Sequence, residues 1–493
     1  MKQPNLSESN RKYKLLERYF SIVDDEAAFR DALSRPMPGY IWANTLRVAP
    51  GRLCEMLQRD ELAPEPLPWH PVAFRIACKS NGLGNHWTYH AGYFHIQEAT
   101  SMIPVLVLSP QPGERILDLC AAPGNKTAQM ALALENRGTI VANDLFYGRL
   151  RPLRSAIDRL GLLNITYTCH DGMSYPKSAG TFDCVLADVP CSCEGTSRKH
   201  PRVLKRSLRN NRLVRHQALL LDQAVRRCRD GGRIVYSTCT YAPEENEAIV
   251  DAALKKWDGR IHIRPIQVPG FVGSPGLTFW ENSTFHPDLA NTLRIWPHQN
   301  DTGGFYVALL EKTAGDSTSS NFFCEASQSG KGFADSADTD DLRPSPEIRE
   351  TLLQELTDRF GLDREVFASL DMFINQKGVV HVAARNHRIP QMGERSTGLP
   401  LVRIGNRFSK LTTAGAAAFG RRATRNVIDV NPAQREAYLS RRVFDVDAQQ
   451  TGSCDNGFVL VRYDGAVLGV GFYNRTKSTV ESQYPKHRML EGS

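Results

Sequence analysis

Between residues 115 and 238 the chain alternates short apolar runs with stretches of helical spacing, and that alternation leaves few folds open. Residues 115–119 (RILDL), 139–143 (TIVAN), 165–168 (ITYT), 182–189 (FDCVLADV) and 233–238 (RIVYST) read as five buried strands. Between them, TAQMALALE from Thr127, RLRPLRSAIDRLG from Arg149 and ALLLDQAVRRCR from Ala218 read as helices, the last closed by Gly231 and Gly232. Strands and helices in this order imply an α/β fold with a mostly parallel, doubly wound sheet, and right-handed crossovers put helices on both faces. TLRIWP (292–297) and GGFYVALLEK (303–312) read as a closing hairpin. Ligands of such sheets bind beyond the carboxyl ends of the strands, where strand order reverses, so the residues after each strand matter most.

After the first strand comes Cys120-Ala121-Ala122-Pro123-Gly124-Asn125-Lys126-Thr127, a small-residue loop entering a helix. Small residues let a ligand reach backbone N–H groups at a helix start. The loop matches neither GxxxxGK[ST] nor GxGxxG, and a plain strand-to-helix turn is the other reading. Asp144 ends the second strand 18 positions after Lys126, where an acid suits ribose hydroxyls and equally suits a helix cap. Asp171 follows the third strand, where it suits an adenine amine or an Asp-Gly turn. The fourth strand ends in Asp188-Val189-Pro190-Cys191-Ser192-Cys193, and Pro190 stiffens the loop that carries Cys191. Cys239 follows the fifth strand, ahead of Pro243 and Glu244, Glu245 and Glu247, which suit the first turn of a helix. Neighbouring strands lie about 4.8 Å apart, so strands four and five bring Cys191, Cys239 and Asp188 to one pocket. Cys191, Cys193 and His200 lack a fourth ligand and match no common zinc spacing, so no metal is expected, and the two thiols do not form a C-x-x-C redox pair.

Two thiols, an acid and an adenine-type cofactor suit methylation of a pyrimidine. C5 of cytosine is a poor nucleophile until a thiolate adds at C6, after which C5 can take a methyl group from S-adenosylmethionine. A carboxyl group at N3 or N4 would stabilise the adduct, and a second thiol would help release it. The attacking thiol needs thiolate character, which nearby cations promote. The net charge is +8, and residues 198–215 alone carry eight Lys or Arg and no acid. Arg198, Lys199, Arg202, Lys205 and Arg206 are therefore candidate nucleic-acid phosphate contacts, a solvated helix face being the alternative.

Taken together, IQEATSMIP (96–104), LDLCAAPGNKT (117–127), Asp144, Asp171-Gly172, DVPCS (188–192) and YSTCTYAPEENE (236–247) resemble the Nop/Sun family of RNA cytosine-5 methyltransferases over residues 97–312. The resemblance implies a Rossmann-like class I methyltransferase domain with S-adenosylmethionine as donor. By position it implies that Cys120, Ala121, Ala122, Pro123, Gly124, Asn125 and Lys126 line the cofactor. It also implies that Asp144 holds the ribose, that Asp171 lies near the adenine, and that Asp188 sits between cofactor and base, with Lys126 in the catalytic group. Cys239 becomes the nucleophile and Cys191 the release thiol; DNA cytosine methyltransferases use the Pro-Cys thiol instead. Where the family usually has glycine, this chain has Cys193, a third thiol able to oxidise with Cys191.

The expected organisation is an N-terminal α+β RNA-contacting domain (1–85), the methyltransferase domain (86–312), a Ser/Gly/Ala/Asp-rich flexible linker (313–346), a connector (347–395) and a tail (396–493). Residues 457–474 read as a hairpin turning at Asp464-Gly465. With GLPLVRIG (398–405) and YPKHRM (484–489) they resemble an RNA-binding PUA-like β-barrel, a combination similar to the bacterial small-subunit rRNA branch of the family. The 11 cysteines show no disulfide spacing, no run of about 18 apolar residues occurs, and no secretory segment opens the chain, so a cytoplasmic protein without membrane contact is expected. The partner expected is RNA, rRNA before tRNA, in the context of an assembled small ribosomal subunit. The competing readings are a non-catalytic RNA-binding ribosome-assembly factor and a DNA cytosine methyltransferase.

Overall fold

The computed structural model describes residues 14–77, 80–205, 211–314, 343–375, 377–388, 396–405, 409–452 and 454–488. Its centre is a sheet containing β1 (Arg115–Asp118), β2 (Thr139–Asn143), β3 (Ile165–Thr168), β4 (Phe182–Asp188) and β5 (Cys228–Thr238) in the order 3-2-1-4-5, each pairing parallel. β6 (Phe305–Lys312) runs antiparallel to β5, and Leu293–Ile295 pairs with it as the expected hairpin. Successive side chains of a strand face opposite ways, and here both faces are covered. Leu117, Val141, Val185 and Ile234 join one core with α3 (Asn211–Arg227) and α4 (Glu247–Lys256). Their neighbours Ile116, Ile140, Leu186 and Val235 join the other, with α1 (Asn125–Ala133) and α2 (Leu150–Leu160). Strand order reverses between β1 and β4, which fixes where a ligand can sit.

Three boundaries differ from the sequence reading. α1 begins at Asn125 rather than Thr127, with Gly124 at φ 108°. A Cβ at Gly124 would lie 2.3 Å from Leu153 Cδ1 and 2.8 Å from Leu153 Cα, so glycine lets α1 start pressed against α2. β5 begins at Cys228, and Gly231 and Gly232 lie inside it rather than closing a helix, because the register shifts between Phe182 and Cys184 and leaves the glycines in a bulge. α4 begins at Glu247, so Pro243 lies in turns ahead of the helix rather than in its first turn.

Four antiparallel strands, Gly39–Ala43, Pro64–Pro66, Ala73–Ile76 and Phe94–Ile96, form the N-terminal sheet. The preceding segments pack elsewhere: Phe29 meets Tyr241 at 5.7 Å and Trp296 at 5.8 Å, inside a core of the central sheet. The tail forms two open sheets, and no closed barrel is found among the described residues. Leu399–Arg403, expected to join the 457–474 hairpin, pairs instead with Val379–Ala384 and Lys410–Leu411. That sheet crosses the boundary expected at residue 395, and Ser396–Thr397 adds a strand to β3. Asp464 and Gly465 both have positive φ, 45° and 76°, as the predicted hairpin turn requires. Most of the expected linker, 315–342, lies outside the described residues. No described helix is long and apolar enough to cross a membrane.

Candidate active site

The parallel register pairs Asp188 with Ser237, so the loops leaving β4 and β5 emerge side by side. Asp188 Oδ1 accepts from Ser237 Oγ at 2.8 Å and Oδ2 from Lys126 Nζ at 2.7 Å; Lys126 also donates to Ser101 Oγ at 3.0 Å. Cys191 Sγ lies 3.4 Å from Cys239 Sγ and 3.9 Å from Cys193 Sγ. Cys191, Cys239 and Asp188 thus come together as strand order predicts, and Lys126 joins them through its bond to Asp188.

Polar groups beneath the loops hold this geometry. Glu245 Oε2 accepts from the Ser192 N–H at 3.0 Å and Gln217 Nε2 at 2.7 Å, and Gln217 also donates to the Pro190 carbonyl at 2.9 Å. The Gly195 N–H donates to the Cys239 carbonyl at 2.9 Å, and Asn246 Nδ2 to the Thr240 carbonyl at 3.1 Å. These bonds explain the late start of α4: residues 245 and 246 turn inward to brace the thiol loops. Glu194 is wholly buried and accepts from Tyr19 OH at 2.7 Å; burial pushes its carboxyl up to about 7. Cys193 sits at φ 62°, the left-handed region, which explains why glycine suits the position and costs a cysteine about 1–2 kcal/mol.

The thiols are not poised as thiolates. Hydrogen bonds with Cys193 and Cys239, then burial, hold Cys191 well above the ordinary thiol range. At Cys239 the hydrogen bond with Cys191 pulls down, but the one with Cys193, together with burial, pushes the thiol well above that range. Lys126 is paired with Asp188 rather than with either thiol.

On the other side of β1, the Ala121 N–H donates to the Asn143 carbonyl at 2.7 Å, folding residues 120–124 over the strand ends. Asp144 is buried; its Oδ2 accepts from the Ala122 N–H at 3.3 Å and its Oδ1 from Arg149 Nη1 at 3.3 Å. Asn125 Oδ1 meets His95 Nε2 at 2.9 Å, tying the loop to the N-terminal sheet. Asp171 Oδ1 accepts from the Met173 N–H at 2.9 Å, so the Asp-Gly turn is present there. Sequence reasoning passed over Asp118, the buried acid at the end of β1. Thr127 Oγ1 donates to its Oδ2 at 2.6 Å, its Oδ1 has no protein partner, and burial raises its carboxyl to about 7. An acid inside an apolar strand was the available signal. Ser101, Ser237 and Glu245 carried none beyond their place in the motifs.

One expected RNA contact is corrected. The Arg198 side chain is 1% exposed and donates to Asp301 Oδ1 at 2.8 Å and the Thr302 carbonyl at 2.7 Å, so it braces the β6 hairpin. Lys199 and Arg202 are exposed. The Lys205 side chain and all of Arg206 lie outside the described residues.

The family model for 16S rRNA methyltransferases RsmB/F matches residues 105–311. The tRNA (cytosine(49)-C(5))-methyltransferase of Pyrococcus abyssi is 38% identical over 305 residues, 61% of this chain and 96% of that protein. The ribosomal RNA small subunit methyltransferase F of Aeromonas salmonicida is 30% identical over 476 residues, 93% of each chain. A crystal structure of a methyltransferase homolog from Pyrococcus horikoshii matches with a TM-score of 0.55 and 28% identity, covering 63% of this chain and all of that one.

Proposed function

The chain belongs to the Nop/Sun family of RNA cytosine-C5 methyltransferases, and from that premise we propose that it methylates C5 of a cytidine in structured RNA through a covalent adduct between Cys239 and C6. Ribosomal RNA is the favoured substrate, since the relative matched over 93% of this chain is a small-subunit enzyme, and tRNA is the second. The observation that carries the chemistry is the 3.4 Å approach of the Cys191 and Cys239 thiols beside the Asp188–Lys126 pair.

The residues present fit S-adenosylmethionine. The cradle of residues 120–124 is made of small residues, Asp144 is buried against it, and the Asp118 Oδ1 is an acceptor without a protein partner. The cofactor would supply an electrophilic methyl group. Asp188 is held between Lys126 and Ser237 with its carboxylate fixed, which suits it to bond the N3–N4 edge of the base. As the Cys239 sulfur bonds C6, its proton passes by way of the Asp188 carboxylate to N3 of the base, leaving an enamine whose C5 takes the methyl group while the donor departs as its neutral sulfide. The C5 proton then departs to solvent, its electron pair re-forms the C5–C6 double bond, the C6–S pair returns to the Cys239 sulfur, and the N3 proton is given back through Asp188. Cys191, in contact with Cys239, is positioned to return a proton to it. The base reaches both thiols only when unstacked, which favours an exposed or flipped nucleotide.

The test is transfer of label from radiolabelled S-adenosylmethionine to naked rRNA, assembled small subunits and bulk tRNA. We expect one RNA to be labelled, Cys239→Ala to abolish labelling, and Cys191→Ala to accumulate a covalent protein–RNA adduct. Labelling that survives in Cys239→Ala but not in Cys191→Ala would assign the nucleophile to the Pro-Cys loop instead.

A further inference from the structure

Cys193 has no part in a two-thiol methyl transfer, yet its sulfur lies with the other two. The Sγ atoms of Cys191, Cys193 and Cys239 all lie within 4.8 Å of one another. The sequence set Cys191 and Cys193 beside His200, an incomplete ligand set. The fold instead supplies Cys239 from the neighbouring strand as the third sulfur, and His200 is exposed. From this geometry we propose that Cys191, Cys193 and Cys239 form a three-thiolate site for a soft d10 cation, Zn2+ in particular, and that its occupancy silences methyl transfer.

Three sulfurs bound to zinc at about 2.3 Å in tetrahedral geometry stand about 3.8 Å apart. The observed 3.4 Å and 3.9 Å bracket that spacing, and the third pair, Cys193 and Cys239, lies within 4.8 Å, so closing on an ion asks at most about 1 Å of that pair. The donors are also held in place before any ion arrives. Ser192 Oγ meets Thr240 Oγ1 at 2.6 Å, and the Gly195 N–H donates to the Cys239 carbonyl at 2.9 Å, so the two loops are pinned on both sides of Cys193. Three sulfurs and no carboxylate in the donor set select thiophilic ions over magnesium or calcium. The three thiols lose one proton each as the dication binds, leaving a complex of net charge −1, so affinity rises with pH. The fourth position of such an ion stays open to water. Cys239 is consumed as a ligand, and its sulfur is then unavailable to C6 of a pyrimidine.

The experiment is zinc titration of the full-length, reduced protein by calorimetry in the absence of RNA and methyl donor. Failure of the methylation reading therefore leaves this result standing on its own. We expect a 1:1 complex with proton release, and a thiolate-to-cobalt absorption band when Co2+ replaces zinc. Cys193→Gly suits the left-handed backbone and retains both other thiols. It should weaken zinc binding by on the order of a hundredfold, and its methyl transfer, measured against its own zinc-free rate, should require correspondingly more zinc for inhibition. Cys193→Ser should behave alike. Equal zinc affinity in wild type and Cys193→Gly would overturn the proposal, as would absence of the cobalt band. Recovery of an internal disulfide, two hydrogens lighter, in place of a metal complex would also overturn it.

Discussion

Asp118 and Cys239 both hold their protons more tightly in the fold than as free side chains, with separate consequences. Burial raises Asp118 to about 7, above the roughly 3.9 of an unfolded aspartate. The folded state therefore binds more protons between those values, and stability falls as pH rises from about 4 to 7, by up to about 1.4 kcal/mol per pH unit from this group. Glu194, raised to about 7 by burial, adds to the slope in the same direction. Urea unfolding of wild type and Asp118→Asn at pH 5 and pH 7.5 should show the wild type losing more stability than the variant between the two pH values. Equal losses would mean that Asp118 is ionised throughout. Cys239 is raised by its hydrogen bond with Cys193 and by burial, against the pull of Cys191. Its alkylation by iodoacetamide in the RNA-free protein, followed by peptide mass spectrometry, should keep accelerating with pH above 9. A plateau near the ordinary thiol value of about 8.5 would contradict the protonated resting state. At this scale Asp188, Cys191 and Cys239 were legible, because strand-end position follows from the apolar alternation alone. Arg198 was not: a run of basic residues does not reveal which of them turns inward to a half-buried acid and backbone carbonyls.

The loop between β1 and α1 carries the cofactor reading, and its shape depends on one close approach. Gly124 combines φ 108° with a Cβ position only 2.6 Å from Leu153 Cβ and 2.8 Å from Leu153 Cα. Gly124→Ala must push α1 away from α2, which also shifts Asn125 and Lys126 and, through Lys126, the Asp188 carboxylate. We expect a stability loss of about 1–3 kcal/mol from the forced packing, read as a lower urea midpoint. S-adenosylmethionine binding, read by calorimetry, should fall at least about tenfold, a loss of some 1.4 kcal/mol. Unchanged cofactor affinity would remove the loop from the cofactor site. The position of this element was clear in the sequence because small residues followed an apolar strand. Its edges were not, since α1 starts where Leu153 permits and α4 starts only after Glu245 and Asn246 have bonded the thiol loops. Leu153 at the first limit and Ser192 and Gln217 at the second are tertiary partners that lie far away in the chain.

Across the whole molecule, the two ends of the chain close on the catalytic sheet and on each other. Trp87 packs against Tyr463 with ring centroids 4.9 Å apart, and His90 Nδ1 meets Tyr484 OH at 2.7 Å. Ile41, Phe74 and Phe94 share a core with Ile428, Tyr438 and Val459. Arg488 Nη2 donates to the Ser155 carbonyl of α2 at 2.8 Å, and His387 meets Thr166 of β3 at 2.6 Å. Composition suggested separable domains, because a polar, serine-rich stretch looks like a tether whatever its flanks do. Pairings between residues about 400 positions apart, as at His90 and Tyr484, leave no periodicity in the local sequence. Removing everything after residue 312 would uncover the N-terminal apolar face and the edge of β3. Large apolar side chains are worth about 1.5–3 kcal/mol each when buried, so uncovering several of them costs several kcal/mol. The truncated protein should melt about 10 °C or more below the full chain in calorimetry and bind a dye that reports exposed apolar surface. If it instead melted at the temperature of the full chain, the tail would be a tethered appendage, and the shared cores would contribute little to stability.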